Sequence, residues 1–261
     1  MPGEFQGKII VVSGGSRGIG RGVALAFARA GAQCVLASSS ADNLATAAKA
    51  IAAEGPAPLT VAGDLRQLSG CEQVLARVQE KFGRCDILVN NAGRTRAGNF
   101  LELPDDAFLD GFALKYFGAV RLTRLFWPLL KAAQGHVVNI VGGAARSPEP
   151  EFLIGSSVNA AVANFSKGLS KLGMRDGVNV NVIHPGNTAT ERQEELLAQR
   201  ATATGKSVEE LRALALARSG VRRVGRVEDV AALALFLCSE GARHIQGTAI
   251  AVDGGATVGY Y

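Results

Sequence analysis

Apolar residues occur along the chain in short runs that alternate with longer segments of mixed polarity. Seven runs rich in β-branched residues predict strands, and most are apolar throughout, as expected for strands covered by helices on both faces. These runs are 8–13, 34–37, 59–62, 86–90, 136–141, 178–183 and 248–252. Apolar residues at helical spacing predict helices over 20–30, 42–53, 71–82, 105–132, 155–173 and 227–238. The alternation predicts an α/β fold with one doubly wound, mostly parallel sheet of about seven strands.

One polar segment with a helical pattern, residues 191–218, interrupts this alternation. It follows Pro185-Gly186 at the end of a predicted strand and precedes the last helix. Ligands of open α/β sheets bind beyond the carboxyl ends of the strands. We therefore expect 191–218 to be a substrate lid, with a peripheral helical hairpin as the alternative. Because we find no internal repeat and no linker, we expect residues 1–261 to form one domain.

Composition limits the class of protein. Hydrophobic residues make up 48% of the 261 positions, which excludes a disordered chain. The longest apolar run, 230–238, is much shorter than the roughly 18 residues that span a bilayer. The N-terminus also lacks the apolar core of a signal peptide. We expect a cytoplasmic protein without a membrane partner.

Charge and cysteine content exclude further classes. The net charge is +5, and the most basic stretch, 218–226, has no interleaved aromatic residues, so we expect no nucleic-acid partner. A solvated face explains this stretch, and binding of an anionic substrate is the alternative. Four isolated cysteines, without a CxxC pattern or clustered histidines, predict reduced core thiols and no metal site.

A glycine-rich segment follows the first predicted strand. This segment is Ser13-Gly14-Gly15-Ser16-Arg17-Gly18-Ile19-Gly20. Gly14 permits a tight turn, Gly18 lets the backbone approach a pyrophosphate closely, and Gly20 lets the helix pack closely on the strand. The helix that follows offers free N–H groups to an anion. Strand, loop and helix in this order predict a dinucleotide-binding site.

The end of the second strand indicates which dinucleotide is bound. Sites that prefer NAD carry an acidic residue there to bind the ribose 2′-hydroxyl, whereas this chain has Ser38-Ser39-Ser40 and no carboxylate before Asp42. These hydroxyls can donate to a 2′-phosphate, and Arg17 can supply a positive charge. We therefore favour NADP(H) over NAD(H). Ordinary turn or N-cap roles for the serines are the alternative.

Several motifs occur in the order typical of one family. They are Ser13-Gly14-x-x-x-Gly18-x-Gly20, Asp64, Asn90-Asn91-Ala92-Gly93, Pro185-Gly186-x-Thr188-x-Thr190, Gly225-Arg226 and Val252-Asp253-Gly254-Gly255. Together they resemble the short-chain dehydrogenases/reductases over nearly the whole chain. The resemblance implies a Rossmann-type fold, a nicotinamide cofactor, a small carbonyl or alcohol substrate, and a homodimer or homotetramer.

The resemblance also implies roles for individual residues. Asp64 and Leu65 resemble the adenine contacts, and Asn91, Ala92 and Gly93 resemble the floor of the cofactor site. Pro185, Gly186 and Thr188 resemble the segment that holds the nicotinamide carboxamide. The predicted cofactor contacts are therefore Gly14, Ser16, Arg17, Gly18, Ile19, Gly20, Ser38, Ser39, Ser40, Asp64, Leu65, Asn91, Ala92, Gly93, Asn159, Pro185, Gly186 and Thr188. Two of these have simpler alternatives, since Asn91 can satisfy strand backbone and Asp64 can cap a turn.

The chain departs from the family at its catalytic positions. Aligning Asn159-Ala160-Ala161 with the family's Lys-Ala-Ala stretch puts Gly155 at the position of the catalytic Tyr and Asn159 at that of the Lys. The upstream Ser position falls on Gly142, and the Asn position on the preceding helix falls on Lys115. No shift of register restores the motif, because none of the tyrosines, Tyr116, Tyr260 and Tyr261, precedes a lysine by four.

Lysine and asparagine are thus exchanged across the expected site. We expect Gly142 and Gly155 to leave volume that the stem of Lys115 enters, so that Lys115 supplies the cation and, with a lowered pKa, a proton. Asn159 would bind ribose hydroxyls as a neutral amide. Ser156 is a weaker catalytic candidate, for which helix capping is the alternative. For Lys115 the alternative is a stem that runs to solvent.

Three functions remain open at this point. The first is an NADP(H)-dependent oxidoreductase in which Lys115 or bound water supplies the proton. The second is a non-redox enzyme on the same scaffold, with lyase, hydratase or lysine-assisted carbonyl chemistry. The third is a catalytically silent cofactor-binding sensor or partner subunit. Arg94 and Arg96 follow the Asn-Asn-Ala-Gly motif and are candidates to orient an anionic substrate.

Overall fold

The computed structural model describes residues 3–257, apart from the side chains of Leu196, Gln199, Arg200 and Ala203; Tyr260 and Tyr261 lie outside the described residues. Within this part of the chain, seven strands form one sheet. They are β1 (Ile9–Ser13), β2 (Gln33–Ser38), β3 (Leu59–Ala62), β4 (Ile87–Asn90), β5 (His136–Ile140), β6 (Asn179–Pro185) and β7 (Ala249–Val252). All neighbouring strands are parallel, in the order β3-β2-β1-β4-β5-β6-β7. The predicted doubly wound parallel sheet is confirmed.

Helices cover both faces of this sheet. They are α1 (Gly18–Arg29), α2 (Ala41–Ala52), α3 (Leu68–Phe82), α4 (Asp105–Gly111), α5 (Gly118–Ala133), α6 (Leu153–Asp176), α7 (Glu191–Thr204), α8 (Val208–Ser219) and α9 (Val227–Leu237). On one face, Phe27 of α1 and Leu237 of α9 lie in the same buried cluster. On the other face, Val74 of α3 and Phe126 of α5 do so. The strands are apolar on both sides because each side faces a layer of helices.

The strand order reverses at β1, which lies between β2 and β4. From β1 the chain runs outward through β2 and β3, and it then returns to place β4 on the other side of β1. Ser13 at the end of β1 is in register with Asn90 at the end of β4. A crevice between strands at such a reversal is the usual ligand site of an open parallel sheet. The fold therefore places the glycine-rich segment and the Asn-Asn-Ala-Gly motif at the edge of one crevice.

The long helix predicted over 105–132 is interrupted. Between α4 and α5 the backbone is π-helical over Phe112–Phe117, and this segment contains Lys115. A π-helical turn holds more residues than an α-helical turn and changes which face its side chains occupy. The 3.6-residue spacing used for the prediction does not reveal such a turn, so the direction of Lys115 was set by the tertiary structure.

Residues 191–218 form a helical hairpin, α7 and α8, beyond the carboxyl end of β6. Its two helices are linked by an ion pair between Glu194 and Arg212. The end of α8 is linked to the loop after β5 by an ion pair of 2.8 Å between Arg218 and Glu149. Both alternatives for this segment, lid and peripheral hairpin, are compatible with a hairpin at this edge.

Composition led to expectations about the cysteines and about membrane spans. The four cysteines are buried with free thiols, and burial raises the pKa of Cys34 to about 12 and that of Cys71 to about 11. They are inert core residues under neutral conditions. Within residues 3–257, none of the helices has the length and hydropathy needed to cross a bilayer.

Candidate functional site

A cavity of about 380 Å³ opens at the crevice between β1 and β4, bounded by the ends of β1, β2 and β4 and the start of α7. Most of the predicted cofactor contacts line it, namely Gly14, Ser16, Arg17, Gly18, Ile19, Ser38, Ser39, Asp64, Leu65, Asn91, Ala92 and Gly93. The structure adds lining residues that the sequence did not indicate: Gly63, Arg66, Asp110, Leu114, Thr190, Glu191 and Arg192. Arg94, a candidate for substrate binding, also lines the cavity, whereas Arg96 does not.

The glycine-rich segment has a shape that side chains would prevent. Gly14 has φ +65°, and a Cβ there would lie 2.9 Å from the Cα of Ala92. A Cβ on Gly20 would overlap the carbonyl oxygen of Gly14, so α1 packs directly on the turn. Gly20 is therefore behind the cavity, where it sets the position of the helix N-terminus. Gly18 and Ile19 at the start of α1 line the cavity, so the helix N-terminus that an anion site uses borders it.

Asn91 holds this turn in place. Its amide Nδ2 donates to the carbonyl oxygens of Ser13, at 3.3 Å, and Gly14, at 3.2 Å. The hydroxyl of Ser13 in turn accepts from the backbone N–H groups of Asn91 and Ala92. The side chain of Asn91 thus satisfies strand backbone, the simpler of its two expected roles, while the residue also lines the cavity. The cavity, the Cβ-free turn and the helix N-terminus at its edge together fit a dinucleotide with its diphosphate at the start of α1.

The serines after β2 separate into two groups. The hydroxyls of Ser16 and Ser38 are 3.0 Å apart, and Ser38 and Ser39 both line the cavity. Ser40 lies outside it and caps α2, where its hydroxyl accepts from the backbone N–H of Asn43. Ser40 thus has the N-cap role that was the alternative for these serines, and its contact with the cofactor stays a prediction.

Asp64 is part of an ion-pair network at the far wall of the cavity. Its carboxylate accepts from Arg66 at 3.0 Å, and Arg66 also pairs with Asp110 of α4 at 2.7 Å. The hydrogen bonds from Arg66 hold the pKa of Asp64 below its ordinary value. The network joins the end of β3 to α4 and keeps the Asp64 carboxylate ionised beside the cavity.

Lys115 does not line the large cavity but packs against the Asn-Asn-Ala-Gly motif at its edge. Its stem packs on Gly93, where a Cβ would lie 2.7 Å from the lysine Cδ. Its amine Nζ donates to the carbonyl oxygen of Val141 at 2.6 Å. Burial lowers the pKa of Lys115 to about 8. The stem does not run to solvent, and the amine lies at the residue next to Gly142, the position of the family's serine.

The volume beside Gly155 and Gly142 is not filled by Lys115, so that part of the expectation is wrong. A Cβ on Gly155 would overlap the Cζ of Phe152, so a phenylalanine ring fills the space beside the residue predicted at the tyrosine position. A Cβ on Gly142 would lie 2.9 Å from the Nδ2 of Asn159, so the asparagine amide occupies the place of the missing serine. Phe152 is not recognisable from the sequence as a site residue, because no motif marks it.

Asn159 and Ser156, the two other catalytic candidates, differ in what their polar atoms contact. Asn159 is 4% exposed, and its Oδ1 is buried without a hydrogen-bond partner among the described residues. Such an acceptor is suited to a ligand hydroxyl. The hydroxyl of Ser156 donates to the carbonyl oxygen of Phe152 at 2.9 Å. This hydrogen bond within the turn at the start of α6 agrees with the capping alternative for Ser156, and its catalytic role stays a prediction.

The segment after β6 lies next to this arrangement rather than in the large cavity. His184 is buried, and its Nδ1 lies 2.9 Å from the carbonyl oxygen of Gly142; burial lowers its pKa. Gly186 packs on Asp253, where a Cβ would lie 2.6 Å from the aspartate Cβ. The hydroxyl of Thr188 donates to the carbonyl oxygen of Gly186. Pro185, Gly186 and Thr188 thus form a rigid wall beside Gly142, and their predicted contact with a carboxamide stays a prediction.

The first residue of α7 contacts the glycine-rich segment. The Oε2 of Glu191 accepts from the backbone N–H of Gly18 at 3.1 Å, and its other oxygen pairs with Arg21 of α1. These contacts hold the pKa of Glu191 below its ordinary value despite partial burial. A carboxylate of the chain itself therefore occupies the helix N-terminus that a diphosphate would bind.

Comparison with known proteins shows similarity along the whole chain. The family model described as enoyl-(acyl carrier protein) reductase matches residues 14–257. An uncharacterised oxidoreductase of Mycobacterium tuberculosis is 34% identical over 256 residues, which are 97% of this chain and 94% of that protein. The L-fucose dehydrogenase of Bos taurus is 33% identical over 264 residues, covering 98% of this chain and 92% of that protein.

A solved structure is similar over the full length. It is the L-sorbose reductase of Gluconobacter frateurii complexed with NADPH and L-sorbose, with a TM-score of 0.95 and 32% identity over 100% of both chains. A single-residue variant of the actinorhodin polyketide ketoreductase with NADPH has a TM-score of 0.92 and 26% identity, over 98% of this chain and 99% of that one.

Proposed function

Since the chain belongs to the short-chain dehydrogenases/reductases and is an NAD(P)-dependent oxidoreductase, we propose that it transfers hydride between NADP(H) and a small carbonyl or alcohol substrate, with Lys115 in place of the family's tyrosine. The observation that carries the proposal is the amine of Lys115, held at the residue next to Gly142 with a lowered pKa. The other two functions considered from the sequence lack support of this kind, because the relatives named above are oxidoreductases.

The preference for NADP(H) is supported by the hydroxyls at the end of β2. Ser16, Ser38 and Ser39 line the cavity near Arg17, and the first carboxylate after β2 is that of Asp42 in the first turn of α2. A carboxylate at this strand end would repel a 2′-phosphate, whereas hydroxyls and a guanidinium bind it. The NADPH-bound structural neighbours agree with this preference.

In the proposed site, the bound cofactor supplies or accepts the hydride. The backbone N–H groups at the start of α1 bind its diphosphate, and the buried Oδ1 of Asn159 accepts from a hydroxyl of the nicotinamide ribose. Lys115 donates a proton to the carbonyl oxygen during reduction and accepts it back during oxidation. Its pKa of about 8 suits both directions near neutral pH.

The family's tyrosine is replaced in function and not only removed. A phenol with a pKa near 10 needs a neighbouring cation to act as an acid near neutrality. An amine with a pKa of about 8 needs none, which explains how the lysine beside the tyrosine can be an asparagine here. One N–H of the protonated Lys115 amine is bound to the carbonyl oxygen of Val141, and two further N–H groups are left for a substrate.

We further propose that the α7–α8 hairpin is the substrate lid and that the protein forms a homodimer or homotetramer. The lid proposal is supported by the contact of Glu191 with the glycine-rich segment. The oligomer proposal is supported by an apolar groove between the π-helical segment and α6, lined by Tyr116, Phe165, Leu169 and Leu172. Hydrogen exchange of 191–218 with and without NADPH tests the first, and sedimentation equilibrium tests the second.

The experiment that tests the main proposal has two steps. NADPH and NADH are titrated separately, with cofactor fluorescence as the readout, and the NADPH-loaded protein is then offered ketones and aldehydes while NADPH absorbance is followed. We expect tighter binding of NADPH and its consumption with at least one carbonyl compound. Tight NADPH binding without turnover of any compound contradicts the oxidoreductase proposal and supports a sensor.

A further inference from the structure

Two guanidinium groups line the cavity without a carboxylate to neutralise them. Arg94 follows Gly93 in the loop after β4, and Arg192 is the second residue of α7. Among the residues that the structure describes, neither forms an ion pair. The two side chains belong to different walls of the cavity, one to the sheet edge and the other to the helical hairpin.

Arg94 lies on the side of the cavity that is nearest to Lys115. Gly93, the residue before Arg94, packs on the stem of Lys115. The serines that are proposed to bind the 2′-phosphate, Ser16 and Ser38, lie at the ends of β1 and β2 instead. Arg94 therefore borders the part of the cavity where the substrate and the proposed acid meet.

Both groups line the same cavity, and their charges repel each other there. The pKa of Arg192 lies below its ordinary value, first because of burial and then because of repulsion by Arg94 and Arg17. Attraction by Glu195 acts in the opposite direction and is the smallest of these effects. Like charges that share a cavity raise the free energy of the protein unless an anion lies between them.

The neighbouring acids are engaged elsewhere. Glu191 accepts from the N–H of Gly18 and pairs with Arg21. Glu195 lies 3.9 Å from Arg17. The positive charge of Arg94 and Arg192 is thus left for a ligand.

We propose that Arg94 and Arg192 together bind an anionic group of the substrate, a carboxylate or a phosphate, in the cavity between the loop after β4 and α7. This inference rests on the proposed function and adds the substrate class to it. Two guanidinium groups from opposite walls suit an oxyanion, because each can donate parallel N–H groups to it. Since Arg192 belongs to α7, binding of the anion also draws the hairpin onto the sheet edge.

The first test compares carbonyl substrates in pairs that differ only in charge. Suitable pairs are 2-oxo and 3-oxo acids with their methyl esters, and phosphorylated ketoses with the free ketoses. We expect the parent protein to favour the charged member of a pair in kcat/KM. Arg94→Gln and Arg192→Gln should each reduce this preference about tenfold to a hundredfold, the range of a charge-assisted hydrogen bond. Arg96→Gln, two residues from Arg94 but outside the cavity, should leave it unchanged.

A parallel titration of NADPH decides which ligand the arginines bind. We expect the Kd of NADPH to stay within about twofold of the parent value in both variants. If NADPH binding weakens and the substrate KM stays constant, the two arginines bind the phosphates of the cofactor, and the inference is wrong. A preference for the uncharged member of the pairs in the parent protein also overturns it.

A second readout needs no turnover, so that its failure is distinguishable from failure of the proposed function. Inorganic phosphate is added to the NADP⁺-saturated protein and the Tm is measured. The parent protein should show a rise in Tm that is smaller in Arg94→Gln and Arg192→Gln than in Arg96→Gln. An equal rise in all four proteins shows that the arginines bind no anion, whether or not any carbonyl compound is reduced.

Discussion

The two sides of the crevice use the family's architecture in different ways. On the β1–β3 side, the glycine-rich segment keeps its shape, and the cavity has the residues expected of a cofactor site. On the β4–β6 side, Gly142, Gly155 and Asn159 stand where the resemblance predicts serine, tyrosine and lysine, and Lys115 is the cation in our proposal. Cofactor binding depends on backbone N–H groups and on the absence of Cβ atoms, which no substitution of a side chain can imitate. Proton transfer depends on a titratable atom in the right place, and more than one residue can supply it.

The changes on the second side are coupled in space. The asparagine amide needs a glycine at 142, the ring of Phe152 needs a glycine at 155, and the lysine stem needs the glycine at 93. Each large side chain fits because a neighbouring residue lacks a Cβ. Such mutual fit is typical of a repacked site, whereas random loss of catalytic residues would leave unfilled space.

The largest effect is expected from removing the Lys115 amine. Lys115→Met keeps much of the stem volume, and it should lower kcat for carbonyl reduction by about 10²–10⁴, the contribution of general acid catalysis. The Kd of NADPH should be nearly unchanged if the two sides of the crevice act independently. The matched control is Lys171→Met, an exposed position on α6. Equal activity of the two variants would show that another group, such as bound water, provides the proton.

The pH dependence should identify the same group. Because reduction needs the protonated amine, kcat should fall about tenfold per pH unit above the Lys115 pKa of about 8, and oxidation should rise up to that pH. The stability has a related dependence. The pKa of this lysine is about 8 in the folded chain and 10.5 in the unfolded chain. Between these two pH values the folded chain therefore binds up to one proton fewer than the unfolded chain, so the free energy of unfolding rises with pH. Both effects should be absent from Lys115→Met, as measured by steady-state kinetics and urea titration.

An acidic residue at the end of β2 should change the cofactor preference. Ser38→Asp places a carboxylate beside Ser16, where it would repel a 2′-phosphate and accept from a ribose 2′-hydroxyl. The ratio of NADPH to NADH affinity should fall on the order of tenfold to a hundredfold, since like charges in contact are costly. Ser40→Asp, at the α2 cap, is the control and should leave the ratio nearly unchanged. If both variants have the same ratio as the parent, the 2′-phosphate is not bound by these serines.

A methyl group at residue 155 tests the place taken by Phe152. Gly155→Ala should lower the free energy of unfolding by about 1–3 kcal/mol, because the ring must move out of a tightly packed site. Gly241→Ala, whose Cβ would be 3.7 Å from the nearest atom, should change it little. In a Phe152→Ala background the added cost of Gly155→Ala should shrink, which urea titration of the four proteins measures. The same cost in both backgrounds would mean that the ring does not occupy this place.

The smallest effect concerns Glu191, where the two sides meet. Its carboxylate accepts a hydrogen bond from the N–H of Gly18 and so competes with the cofactor diphosphate for the start of α1. Glu191→Gln should therefore strengthen NADPH binding about twofold to fivefold, as expected for one charge at a helix N-terminus. Because contacts hold the pKa of Glu191 low, the competition should persist through neutral pH in the parent protein. Glu194→Gln, on the same helix and paired with Arg212, is the control. Weaker binding by Glu191→Gln would show that the carboxylate helps to hold the cofactor.

Sequence alone determined the sheet and predicted the cofactor loop, because both follow from residues close together in the chain. The altered catalytic positions stay a prediction that rests on the family resemblance. Apolar runs specify strands, and glycine spacing specifies the turn before α1. The tertiary structure decided which groups fill the altered positions. The results of packing include Phe152 at Gly155, Asn159 at Gly142, the π-helical turn that contains Lys115, and the presence of Arg94 and Arg192 in one cavity. Periodicity and motifs carry no information about such contacts, since they depend on how distant segments share a confined volume.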